Sequence, residues 1–192
     1  ASTNWPIARW SSAGPPPAEG DWLFSIAPGD GREAPLVMDF SRCGIKVLAE
    51  RLGLIGGHRS HPFVAMNAAF LGDGAFVHVP DGVVLAEPLL VVHVADGSAG
   101  PAAAHPRVVV SLGENAQATV VEAYCGTGEA FVNAATEIVL GPHAHLDHAM
   151  LQEESPEAFH VGTAEAHLGP GAQLFGHVLS VGGKVVRNEL TV

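Results

Sequence analysis

The sequence predicts an all-β core folded as a right-handed parallel β-helix of about 28 residues per coil, with a small N-terminal α/β segment. The prediction depends on two motifs that repeat in one register. Leu-Gly-x-x-Ala begins at Leu112, Leu140 and Leu168, so the interval between its copies is constant. Glu-Ala-Phe begins at Glu129 and again at Glu157 with the same spacing. A fixed period of this length is typical of architectures in which each unit buries its apolar face against the next.

The first part of the chain lacks this period. Residues 1–20 are rich in Pro, Gly, Ser and Ala, a composition that favours a flexible N-terminal segment. Residues 21–72 form the expected α/β segment, which starts with two apolar runs at 22–26 and 36–40. Turn residues at 28–31 separate these runs and predict a β-hairpin.

Two short helices are predicted to follow the hairpin. The first begins after Ser41, a plausible N-cap, and ends at Gly53. The second begins near Pro62, which is a favourable first helical residue, and ends near Gly72. Its expected apolar face consists of Phe63, Met66 and Phe70.

Residues 73–192 carry short runs of Val, Ile, Phe, Thr and Ala divided by Gly, Pro and Asp, a pattern of strands and corners. Stacked coils would align the three motif leucines as an interior ladder. The glycines after them would occupy a corner that favours positive φ, and the motif alanines would point into the bend. Residues 74–100 carry a looser copy, which predicts a first coil. The hexapeptide period of left-handed helices is absent, which favours the right hand.

The strand pattern is still running at Val192, so we expect the β-helix to be truncated there. An open coil end exposes unpaired backbone groups, which further chain, a partner or self-association would cover.

Composition restricts the function. With 9 Lys and Arg against 20 Asp and Glu, the formal charge is −11, which disfavours nucleic acid and anionic membranes as partners. Cys43 and Cys125 have no paired spacing, so neither a disulfide framework nor a zinc cage is indicated. A leader sequence and an apolar run of about 18 residues are both missing, and the cytoplasm is the expected location.

An ordered set of short motifs extends from about Phe63 to Val192. The motifs are Asn67–Phe70, Asp73–Pro80, Gly82–Val83, Pro88–Leu89, Pro106–Val108, Glu122–Tyr124 with Gly126, Phe131–Asn133, Thr136–Ile138, His148 with Gln152 and Glu154, Ala158–Thr163, Gly182–Gly183 and Arg187–Glu189. Together they resemble the SufB/SufD family of iron–sulfur cluster assembly proteins, and SufD more than SufB.

The resemblance implies a right-handed parallel β-helix core that pairs SufB-like with SufD-like subunits. It also implies an ABC-type ATPase, SufC, docked on a helical C-terminal part, and SufD is associated with iron acquisition. The sequence stops about halfway along the family's β-helix, so the partner-docking regions are largely missing from it. We therefore expect a SufD-like, non-catalytic scaffold or partner subunit of this machinery.

Candidate metal ligands are His143, His145, His148 and Cys125. Imidazole and thiolate suit Fe, Zn, Cu or Ni, and residues two apart on a strand share a face. However, the positions of His143 and His145 hold Asn115 and Gln117 one coil earlier, and Gly171 and Gln173 one coil later, which favours exposed corner positions. No intrinsic cofactor is expected, and transient iron or an iron–sulfur cluster at a subunit interface stays open.

The sequence offers no catalytic residue. Neither a Gly-x-Ser-x-Gly elbow nor a Gly-x-x-x-x-Gly-Lys phosphate cradle is present. Carboxylates from different coils could still converge on one flank, so a β-helix polysaccharide lyase or hydrolase is the enzyme alternative. The pair His143-x-His145 prompts a cupin-like metal-binding protein as the second alternative, although the flanking Gly and Glu spacings differ from the cupin pattern.

Overall fold

A computed structural model describes residues 7–11, 24–25, 36–39, 61–72 and 74–192. Its single described helix is α1 (Pro62–Ala69). The strands, in chain order, are β1 (Ile7–Ser11), β2 (Phe24–Ser25), β3 (Leu36–Asp39), β4 (Gly74–Val79), β5 (Leu89–Ala104), β6 (Arg107–Leu112), β7 (Gln117–Leu140), β8 (His145–Glu153), β9 (Phe159–Leu168), β10 (Gln173–Ser180) and β11 (Val185–Thr191).

From β4 onward the strands stack in parallel, one coil over the next. The first part of β7 pairs with β8, which pairs with β10. The second part of β7 pairs with β9, which pairs with β11. Gln117 lies beside His145 and His145 beside Gln173, the same interval that separates the sequence motifs. The predicted parallel β-helix is confirmed.

The first coil is longer than the others. Gly74 pairs with Arg107, a wider interval than the one from Arg107 to its own partner in the next coil, Ala135. The register shifts between Gly97 and Ala102, after which Ala102 pairs with Ala130 at the regular interval. A bulge in β5 therefore absorbs part of the extra length.

The interior leucine ladder is also confirmed. Leu112 pairs with Leu140, and Leu140 with Leu168. The first two are 2% and 1% exposed, and Leu168 packs against the same core. Alternate strand residues point inward, so a constant period converts one leucine per coil into a continuous apolar column.

The motif glycines sit at the predicted corner, but the reason expected for them is wrong. Positive φ occurs two residues later in each coil, at Asn115 (55°), His143 (57°) and Gly171 (72°). Gly141 is instead required by close approach, because a Cβ there would lie 2.8 Å from the carbonyl carbon of Gly113. The motif alanine of the same coil, Ala144, is fully buried in the bend as expected.

The N-terminal strands flank the coil. β2 and β3 are antiparallel, as expected of a hairpin, and β3 is antiparallel to β4. β1 pairs in parallel with β5. The N-terminal segment 1–20, which was predicted to be flexible, therefore includes a strand at Ile7–Ser11. The helix predicted after Ser41 lies outside the described residues, and the boundaries at 20 and 72 remain predictions.

Helix α1 begins at Pro62 as predicted, but its buried face differs from the expected one. Val64 and Asn67 are buried, whereas Phe70 is 65% exposed. Asn67 Nδ2 donates to the carbonyls of Pro106 (2.9 Å) and Asn133 (2.8 Å). The Asn67 amide, bonded to two backbone carbonyls, thus orients the helix, and an apolar pattern does not reveal such an anchor.

Parallel pairing contradicts the cupin-like alternative, because cupins are antiparallel double-sheet jelly rolls. In the described part of the chain, no helix has the length and apolar character needed to cross a membrane. The hand of the coil and self-association through its end stay predictions.

Candidate functional site in the coil interior

Buried polar side chains gather inside the coil, beside the apolar core. We call them the interior polar cluster: His93, Glu122, Tyr124, Thr136, His148, Gln152, Glu154 and His160. Strand alternation places them there, since Glu122 and Tyr124 continue the inward face that Ala118 and Val120 begin. Polar groups buried this deeply must be hydrogen-bonded to be tolerated.

Glu122 is the centre of the cluster and is 1% exposed. Tyr124 Oη donates to its Oε2 at 2.6 Å, and Thr136 Oγ1 donates to its Oε1 at 3.0 Å. His148 Nε2 lies 2.8 Å from Oε1. His93 Nε2 lies 4.0 Å from Oε2. Both carboxylate oxygens of Glu122 therefore contact other side chains of the cluster.

These contacts set the charge state of the Glu122–His148 pair. Burial alone would raise the pKa of Glu122, but the hydrogen bond and charge of His148, with smaller contributions from His93 and Tyr124, lower it. Burial alone would lower the pKa of His148, but the hydrogen bond and charge of Glu122 raise it. The geometry thus favours a buried ion pair.

The pKa of His93 shifts in the opposite direction to that of His148. Its ring stacks on Tyr124 with 4.6 Å between centroids. Burial lowers the pKa of His93 to about 4, although Glu122 counteracts part of that effect. Burial, with Glu122 beside it, also raises the pKa of the Tyr124 hydroxyl. Both rings are therefore neutral near pH 7.

A second buried carboxylate lies next to these rings. Glu154 Oε2 accepts a hydrogen bond from Gln152 Nε2 at 2.8 Å. His160 Nδ1 lies 3.0 Å from the same oxygen. The His160 ring also meets Tyr124 edge-on, with 4.9 Å between centroids. Tyr124 therefore connects the Glu122 and Glu154 halves of the cluster.

A cavity of about 130 Å³ adjoins the cluster. Glu122, Thr136 and His148 lie on its polar side. Gly162 and Gly176, both on inward positions, leave room that side chains would fill. The cavity therefore lies between the polar side chains of the cluster and a largely apolar wall.

The structure does not bring the four predicted metal candidates together. His143 is exposed at its corner, and His145 points outward, 3.7 Å from Asp147. His148 points inward, because residues three apart on a strand face opposite sides. A metal role for any of the four stays a prediction. Within the described ranges, no group of three or more His, Cys, Asp or Glu side chains is arranged to hold a metal ion.

Cys125 lies on the outward side of β7. Its Sγ is 3.6 Å from the carbonyl oxygen of His93. Burial, and then the charges of Glu154 and Glu153, raise the pKa of its thiol. A raised pKa disfavours the thiolate that binds metals and attacks electrophiles.

Sequence reasoning missed most of the cluster. His148 is the single member that was also a candidate metal ligand, and its Nε2 contacts the carboxylate of Glu122. The available signal was the register, since polar residues at inward positions of apolar strands need partners on the facing wall. Which wall faces them follows only from the path of the coil.

Comparison with known proteins agrees with this architecture. A sequence model described as "SUF system FeS cluster assembly, SufBD core domain" matches residues 93–192. SufD of Escherichia coli K12, an iron–sulfur cluster assembly protein, is 30% identical over 167 residues, which cover 83% of this chain and 40% of that protein. An iron–sulfur cluster assembly SufBD family protein of Synechocystis is 27% identical over 138 residues, covering 67% and 30%.

No solved structure gives a significant match. The chain spans two-fifths or less of the length of these two relatives. The family match covers more than half of the chain, and its residues form the coils that hold the interior polar cluster. The chain therefore belongs to the SufBD family, as its motifs from Asn67 to Glu189 predict.

Proposed function

We propose that this chain is a SufD-like, non-catalytic component of iron–sulfur cluster assembly that works through partner subunits. The observation that carries the proposal is the SufBD core match over residues 93–192. The SufD relative, whose printed name assigns it to cluster assembly, supports the same role. The expected partners are a SufB-like subunit and a SufC-like ABC ATPase.

The interior polar cluster supports the non-catalytic part of the proposal. A general base must reach a substrate proton by a hydrogen bond of its own. Glu122 already accepts from Tyr124 and Thr136 and contacts His148, so its acceptor positions are used within the fold. Such a carboxylate stabilises the coil rather than transforming a substrate.

Cytoplasmic location and the absence of a resident cofactor belong to the same proposal. Iron or a nascent cluster would then be cargo, held transiently where subunits meet. The formal charge of −11 and the raised pKa of the Cys125 thiol are compatible with a chain that acts through protein contacts.

Affinity capture from the source cells tests the proposal. We expect a tag on the gene product that carries this chain to retrieve both a SufB-like subunit and a SufC-like ATPase, identified by mass spectrometry. Leu140→Asp, which places a charge in the apolar core that surrounds residue 140, should abolish capture, whereas Leu140→Met should retain it.

Retrieval of neither partner by the intact protein would contradict the proposal. Cleavage of an acidic polysaccharide by that same preparation would favour the β-helix lyase alternative instead.

A further inference from the structure

The 130 Å³ cavity beside the interior polar cluster has a mainly apolar wall. Each strand from β7 to β11 contributes one apolar side chain to it, namely Ala134, Met150, Ala164, Val178 and Leu190. Val178 is 61% exposed and Leu190 is 54% exposed, so the cavity opens to solvent between β10 and β11. A small molecule can therefore enter it from outside.

Glycine at residue 176 keeps this space open. Gly176 lines the cavity and lies on β10 beside His148 of β8. A Cβ at residue 176 would meet only Leu190 Cδ2, at the ordinary contact distance of 3.7 Å. The backbone would therefore tolerate a side chain that fills the cavity, and the sequence places none there.

Water is a poor occupant of this cavity, because a buried water needs about two to four polar partners. Tyr124 and Thr136 donate their hydroxyl hydrogens to Glu122, which is itself 1% exposed. These polar groups are thus used within the fold. Apolar cavities of about 150 Å³ stay dry and bind molecules of the size of benzene, so this one suits about five or six non-hydrogen atoms.

His148 is the polar side chain that a molecule in the cavity can contact. It lines the cavity and its side chain is 12% exposed. Its Nε2 lies 2.8 Å from Glu122 Oε1, and a carboxylate only accepts, so Nε2 carries a hydrogen. The remaining ring nitrogen, Nδ1, accepts a hydrogen bond when the imidazole is neutral and donates one when it is charged.

These features restrict the chemistry of the ligand. A hydroxyl group both donates and accepts, so it fits Nδ1 of His148 in either charge state. A charged group would lose its hydration against the apolar wall, and an anion would also lie close to the Glu122 carboxylate. The wall itself favours a hydrocarbon body.

We propose that this cavity binds a small uncharged alcohol. Its hydrocarbon body packs against Met150, Ala164 and Leu190, and its hydroxyl group contacts Nδ1 of His148. This proposal does not depend on the proposed function.

Methyl NMR of the intact gene product that carries this chain tests the site, with cyclopentanol as the probe. Of the three methionines in the sequence, Met150 lines the cavity, whereas Met66 lies on helix α1 and Met38 on β3. In protein labelled with ¹³C in the methionine methyl groups, cyclopentanol should shift the Met150 signal saturably and leave the Met66 and Met38 signals in place. The loss of one signal in Met150→Leu identifies that residue.

A cavity-filling variant tests the location. Gly176→Val places a branched side chain in the cavity and should weaken cyclopentanol binding at least about tenfold, because the ligand and the new side chain compete for one space. Leu179→Val is the matched control on β10, because residue 179 does not line the cavity, and it should bind like the original protein. Circular dichroism of both variants verifies folding.

Imidazole ¹⁵N NMR tests the polar contact in the unmodified protein. Cyclopentanol should shift the Nδ1 signal of His148, whereas cyclopentane, which lacks the hydroxyl group, should fill the cavity and leave that signal in place. Cyclopentanecarboxylate should not bind, because its charge cannot be solvated there.

The proposal is overturned if cyclopentanol causes no saturable shift of Met150, the result expected when water or a side chain of another segment or partner fills the space. Undiminished binding to Gly176→Val, or a Nδ1 signal that does not respond to cyclopentanol, would overturn it as well. None of these results bears on capture of SufB-like and SufC-like partners, so the two proposals fail independently.

Discussion

At the scale of single residues, three titratable side chains of the interior polar cluster control stability in different pH ranges. The pKa of Glu122 is lowered, so its contribution is present above about pH 4.5 and is lost as the pH falls through the folded value. The pKa of His148 is raised, so its contribution is complete below pH 6.5 and is lost as the pH rises through the folded value.

His93 governs the interval between them. Its pKa is about 4 in the folded chain, against 6.5 for an ordinary histidine, so between these values only the unfolded chain binds the proton. We therefore expect the free energy of unfolding to decrease by about 2 kcal/mol from pH 6.5 to pH 5, measured by urea denaturation. His93→Phe, which keeps an aromatic ring against Tyr124, should remove most of this slope, and His105, whose pKa burial also lowers, would account for the rest.

The control for this prediction is His167→Gln, an exposed histidine whose replacement should leave the slope intact. A flat profile in the unmodified protein, or an equally steep slope in His93→Phe, would show that burial of His93 does not carry the effect.

At the scale of elements, the corner sets the distance between coils. Gly141 lies on Gly113, and a Cβ at residue 141 would come within 2.9 Å of Glu114 N. Gly141→Ala should therefore force the coils apart locally and reduce the free energy of unfolding by about 1–3 kcal/mol in urea denaturation.

Gly72→Ala is the matched control, because a Cβ there meets nothing within 4 Å. It should change stability by no more than about 0.5 kcal/mol. Equal stability of both variants would mean that the corner can relax and that close approach does not explain the glycine.

The same corner shows how far sequence reasoning reaches for an element. The Leu-Gly-x-x-Ala spacing located each corner, because stacking repeats one backbone path in every coil. It did not reveal why glycine is there, since close approach depends on the neighbouring coil. Helix α1 is similar, because Pro62 predicted where it starts but no local pattern predicted its buried face. That face is set by hydrogen bonds from Asn67 to carbonyls distant in sequence.

At the scale of the whole molecule, the repeat predicted the fold and the family, but not the interior polar cluster. The separation of Glu122 and His148 in sequence is close to one coil but not one full period, so they do not form one column. Glu122 pairs along the coil with Met150, and His148 with Val120. Their contact is diagonal and depends on side-chain direction, which periodicity does not specify.

Stacking also predicts how the molecule opens. Each coil contacts only its neighbours, so local stability depends on how many neighbours a strand has. β6 is buried at every residue, and β7 pairs with strands on both sides. Among the described strands, β10 and β11 each pair with one other, and their residues are mostly exposed.

We therefore expect amide hydrogen exchange to proceed from one end of the stack. When the 192-residue chain is measured by itself, amides of β10 and β11 should exchange before those of β8 and β9, because only one described strand pairs with each of them, and amides of β6 and β7 should exchange last. Mass spectrometry of proteolytic peptides along a time course would measure the order, with β8 and β9, one coil further in, as the internal reference. Simultaneous exchange of all these strands would mean that the coils open as one unit, and that nearest-neighbour contacts do not limit the opening.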